Sequence, residues 1–74
     1  MPDDVEWIAS TARQRDPSLE HAVALELAQR ALPIARGLEE LDAPEIARQL
    51  LAGSEQGASS VNAVAVATVD FLQR

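Results

Sequence analysis

The sequence predicts an all-α fold: a small single-domain bundle spanning residues 1–74, with three main helices plus a short fourth, and a C-terminal helix that is central and strongly apolar. Three observations predict it. Alanine, the best helix former, occurs 14 times and glycine only 3 times. Apolar residues recur at spacings of three and four along most of the chain. Aspartate and proline recur together where such runs begin.

The first helix is expected to begin at Asp3. Asp3 and Glu6 have the spacing of a capping box. Val5, Ile8, Ala9 and Ala12 then share one face, with Trp7 beside it, and Arg13 and Arg15 suit the negative end of the helix dipole. The second helix is expected to open at "DPSLE", with Asp16 as the cap and Pro17 at the first helical position. Its stripe is Leu19, Val23, Leu27, Ala28 and Ala31, flanked by Leu25 and Leu32. Pro33 should break it, because a ring inside a helix clashes with the carbonyl four residues back. A short helix through Ile34 and Leu38 to about Leu41 should follow.

The next helix is expected to be capped by Asp42, with Pro44 in its first turn and Glu45 completing a second capping-box spacing. Ile46, Ala47, Leu50 and Leu51 give its inner face, and Gly53 should end it in a left-handed conformation. After the polar connector "SEQGASS", the segment "SVNAVAVATVDFLQR" alternates Val and Ala as a strand would. Three interleaved alanines and the lack of a partner strand favour a helix, and that helix is apolar around most of its circumference. Such a helix must be covered nearly all round. A chain this short buries only about 60% of its unfolded surface. The expectation is therefore that part of the last helix faces a second molecule.

Composition removes several functions. There is no cysteine, and His21 is the single histidine, so disulfides, thiolate sites and imidazole-built zinc sites are excluded. No metal or cofactor site is expected. The net charge is −6 and every basic residue is an arginine, which disfavours nucleic acid and anionic membranes. The opening "MPDDVEW" has neither the basic nor the apolar region of a signal peptide, and the expected location is the cytoplasm. The lysine-free, Ala- and Arg-rich composition points to a GC-rich bacterial genome.

Two motifs resemble functional signatures. "APEIARQLLAGSEQGASSV" is similar to half of a helix-turn-helix. Neither Ala47 nor Gly53 puts the turn glycine and the following aliphatic residue in register, and the second helix has no basic residue before Arg74. "DPSLE" resembles the Asp-Ser-Leu pattern of acyl and peptidyl carrier proteins, which implies phosphopantetheine on Ser18. A proline intervenes, however, and Ser18 follows one short helix rather than a long helix and loop. His21 has no cysteine to activate, and Ser18 one turn away has no orienting context, so no catalytic residue is expected.

The expected function is a non-catalytic protein–protein interaction module, a small bacterial regulatory protein such as an antitoxin, immunity protein, inhibitor or assembly adaptor. Its partner is another protein, a second copy of the chain, or both, with no small-molecule substrate evident. Val64, Phe71 and Leu72 are the expected apolar anchors, with Trp7 as a fourth. Glu39, Glu40, Asp42 and Glu45 form the densest acidic stretch and would steer a basic partner.

Overall fold

Four helices form: α1 (Asp4–Arg15), α2 (His21–Arg36), α3 (Ala43–Ala52) and α4 (Ala58–Leu72). The computed structural model describes residues 3–74, and no strand occurs among them. The Val and Ala alternation of the last segment is helical, as expected.

Two helices start where their sequence signals lie, although the capping boxes do not close. Asp3 is extended (φ −63°, ψ 146°) and its carbonyl accepts the Trp7 N–H at 3.0 Å, while its side chain caps nothing. Asp42 behaves alike, its carbonyl accepting the Ile46 N–H at 3.0 Å. The first-turn acids Asp4, Glu6 and Glu45 still lie at positive helix ends, where the dipole favours them.

The second helix begins at His21, not at Pro17. Asp16 starts an isolated turn instead. Its Oδ1 accepts the Ser18 N–H at 3.2 Å and the Ser18 hydroxyl at 2.6 Å. The Leu19 N–H closes the turn on the Asp16 carbonyl at 3.0 Å. The bond from the N–H two residues on is the one a helix N-cap would accept, but here it closes a single turn that does not continue as helix. The turn carries Leu19 into the core.

Pro33 does not break α2, which runs through it to Arg36. The ring lies on the exposed side, as does Gln29 four residues back, so the carbonyl that loses its donor has access to water. The short helix expected to reach Leu41 is absent, since residues 37–42 are turns and extended chain. Gly37 ends α2 with its N–H shared between the Pro33 and Ile34 carbonyls, each at 3.1 Å. Continuing the helix would have put Glu39 and Glu40 at the negative end of its dipole. Gly53 is not left-handed either (φ −119°, ψ 16°). The Arg30 guanidinium lies across it and donates to its carbonyl at 2.9 Å, so a β-carbon there would displace Arg30.

α2 and α4 pack against each other, and each also packs against both remaining helices. α1 and α3 flank this pair without touching one another. The Cα trace measures 31 × 31 × 16 Å, about two helices thick. Ten of the eighteen buried apolar residues are alanine. α2 contributes Ala24, Ala28, Ala31 and Ala35, and α4 contributes Ala63, Ala65 and Ala67. Side-chain size at a helix contact sets the distance between axes, so alanine lets these short helices pack closely. The larger core residues, Ile8, Leu27, Ile46, Leu50, Val61 and Val64, fill the space that remains. Thr68 is fully buried and its hydroxyl donates to the Val64 carbonyl at 2.8 Å, so that among the described residues no buried side-chain polar atom is unpaired.

The other three helices cover the inner part of α4 and leave part of its apolar surface open. Val61, Ala63, Val64, Ala65, Ala67 and Thr68 are covered by the chain itself, and only Val66, Val69, Phe71 and Leu72 stay half-buried. Much of the helix's apolar surface is alanine, which presents little area to cover.

Two substitutions test this packing by urea denaturation, with a third as a control. Pro33→Ala restores a donor and removes a ring from a helix, and should stabilise the fold by about 1–3 kcal/mol. Ala28→Leu overpacks the centre and should destabilise it by about 1–3 kcal/mol or more. Ala52→Leu, at an exposed position, should change stability by less than about 0.5 kcal/mol.

Candidate functional site

Neither of the two aromatic residues lies in the core. Trp7, one turn into α1, and Phe71, in the last turn of α4, are both half-buried. Their ring centroids are 5.7 Å apart with planes inclined at 50°, within the range of favourable tilted pairs. The Arg74 guanidinium lies 4.2 Å from the centroid of the Trp7 ring, a cation–π geometry. Beside it, Arg15 pairs with Asp70 at 3.7 Å, with both side chains about half exposed. Trp7, Thr11, Gln14, Arg15, Asp70 and Arg74 line an open depression at this corner.

The sequence-derived anchors divide accordingly. Trp7 and Phe71 meet, and Leu72 is half-buried next to Phe71 at the end of α4. Val64 is fully buried and is removed from the surface, because it lies on the side of α4 that packs into the core. Arg74, Arg15 and Asp70 had no place among the expected site residues. Arg74 had a signal: it follows Phe71 by three residues and so falls near the same side of a helix.

The acidic stretch also divides. Glu39, Glu40 and Asp42 are exposed between α2 and α3. Glu45 is half-buried in α3 and accepts bonds from Arg48 and from Gln49, the latter at 3.0 Å. Those bonds, Arg48's first, hold its carboxyl below the ordinary glutamate value. Glu45 is thus engaged within its own helix and is the least available of the four. Asp4 pairs with Arg36 at 3.6 Å, which sets the first turn of α1 beside the end of α2, three residues before Glu39. The acidic loop and the Trp7 corner therefore both adjoin the start of α1.

Each of the six arginines has a partner within the chain. Arg13 donates to the Leu19 carbonyl at 3.2 Å and Arg30 to the Gly53 carbonyl at 2.9 Å. Arg15, Arg36 and Arg48 pair with Asp70, Asp4 and Glu45. Arg74 covers Trp7. His21 lies between Arg13 at 3.5 Å and Glu6 at 3.8 Å, a surface bridge between α1 and α2. Among the described residues the other carboxylates have no cationic partner.

The geometry around the two motifs is plain. Ser18 sits in the turn before α2, not in a first helical turn, and its hydroxyl is held by Asp16. Asp16 also accepts the Ser60 hydroxyl at 3.3 Å, tying the end of α1 to the start of α4. α3 and α4 are joined by residues 53–57, and the outward side of α4 offers Asn62, Asp70 and Gln73 rather than cations. Among the described residues no group of three His, Cys, Asp or Glu could hold a metal ion, and no helix is long and apolar enough to cross a membrane. No protein-family model matches the chain, and no curated protein or solved structure matches it either.

Asp16 generates a pH prediction. The bond from the Ser18 hydroxyl holds its carboxyl below the ordinary value, helped by the Ser18 N–H and the Ser60 hydroxyl and opposed by partial desolvation. A folded value below the unfolded one contributes stability that is present above the ordinary aspartate value of about 3.9 and is lost as pH falls through the folded value. Carboxyl titration by NMR should give Asp16 a midpoint below that of a free aspartate. Asp16→Asn should remove this share of the acid sensitivity.

Proposed function

We propose that the chain is a non-catalytic protein–protein interaction module, a small bacterial regulatory protein of the antitoxin, immunity-protein, inhibitor or adaptor kind. It docks through the corner formed by Trp7, Phe71 and Leu72. One observation carries this reading: the two largest side chains are left half-exposed together while alanine fills the interior. A domain this short gains most by burying its largest apolar groups, so leaving both at one corner favours a use outside the fold. Tryptophan and arginine, the residues found there, are also the types enriched where binding energy concentrates. Glu39, Glu40 and Asp42 on the adjoining loop would speed encounter with a basic partner.

A heterologous partner is favoured over a second copy, because two molecules each carrying −6 repel. Absence of cysteine fits a place in the cytoplasm.

Immobilised protein presented to an extract of the cells that make it tests the docking corner. A specific partner should be retained by the wild type and by Leu51→Asp, which alters an exposed leucine on α3. It should be lost with Phe71→Asp, while circular dichroism shows each variant folded. Retention that does not depend on Phe71 would contradict the assignment.

A further inference from the structure

We propose that the outward face of the Trp7 ring is a docking face for an arginine side chain of a basic partner protein, and that Arg74 occupies this face until the partner arrives. The inference rests on the docking corner proposed above and adds the chemistry of its occupant.

Arg74 differs from the other five arginines. Those are held by oxygen atoms of the chain, two by backbone carbonyls and three by carboxylates. Arg74 is exposed and its guanidinium rests on the Trp7 ring, 4.2 Å from the centroid. An exposed cation–π contact is weak and is given up at little cost. The tilted packing of Phe71 against Trp7 supports the ring while leaving a face for a cation.

The surroundings suit a guanidinium. Asp70 supplies a carboxylate at the rim of the depression, shared with Arg15 at 3.7 Å. Thr11 and Gln14 line the same depression and offer a hydroxyl and an amide oxygen as further acceptors for a five-donor fork. An incoming arginine replaces one cation on the ring with another, so the ring contact survives the exchange.

Charge points the same way. The chain carries −6, and its arginines are engaged internally. The field of the whole chain therefore attracts cations and repels acidic partners, a second copy included, and at the depression itself Arg15 and Asp70 balance, so an arginine that displaces Arg74 meets no net positive charge.

The test uses fluorescein-labelled, N-acetylated hexa-arginine as the probe, with fluorescence anisotropy as the readout. Arg74→Ala removes the resident cation and should tighten binding by about two- to five-fold, the equivalent of an exposed cation–π contact. Arg48→Ala changes net charge equally but lies on α3, so it should tighten binding less. Trp7→Leu should weaken binding several-fold. Equal tightening by Arg74→Ala and Arg48→Ala would reveal general charge attraction and overturn the proposal, as would undiminished binding by a folded Trp7→Leu. If Trp7→Leu does not fold, Trp7→Phe decides: its weaker ring should bind less tightly, and unchanged affinity overturns the proposal. Loss of a captured partner in Phe71→Asp without Trp7-dependent peptide binding would leave the docking corner standing and remove its cation chemistry. The reverse result would leave the cation face and remove the docking corner.

Discussion

The close packing of alanine-faced helices is the constraint on which the rest of the structure depends. A 74-residue chain has few large side chains to spend on a core. With leucine at every inner position, helices of 10 to 16 residues would stand too far apart to cover one another. Alanine at 24, 28, 31 and 35 of α2, and at 63, 65 and 67 of α4, lets the two central helices meet each other and both flanking helices. Packing at this density has little slack, so added volume at these positions is felt as strain rather than absorbed.

That economy has a consequence at the surface. Alanine closes the interior, and neither the indole nor the phenyl ring is among the buried residues. Trp7 and Phe71 then rest on the outside of the core and on each other. The charged groups follow a similar division. Arginines bind back onto the chain, joining α1 to α2 through Arg36 and Asp4, and α2 to the α3–α4 connector through Arg30 and Gly53. These contacts are exposed, and each contributes little to stability on its own. The net charge of the chain remains negative, at −6. An apolar corner beside an acidic loop and a cation already seated on a tryptophan are thus products of how the core was filled.

Helix content was legible in the sequence because it follows from composition and spacing, which act locally. The starts of α1 and α3 were legible from Asp3, Asp42 and Pro44, although the bonds expected of their capping boxes are not those that form. The start of α2 was not, because the same Asp16–Ser18 bond serves an isolated turn as well as a helix start, and Asp16 also holds a distant partner, Ser60. Pro33 misled for a different reason. A proline penalty depends on whether the carbonyl it orphans faces water, and that is settled by tertiary packing. The cover of α4 was illegible because counting apolar positions weights an alanine like a valine, whereas the area to be covered differs greatly. At the corner, Trp7 and Phe71 could be read as surface candidates from size alone. Val64 could not be told from them, since an all-round apolar helix does not disclose which side turns inward.

Amide hydrogen exchange of α4, followed as a function of protein concentration, is the most direct measurement of whether this chain covers its own apolar helix. The account predicts that the amides of residues 61–68 exchange only through global unfolding, with protection that is independent of concentration. Protection in α4 that rises with concentration would mean that a second molecule supplies the cover, and would contradict the alanine-packed core.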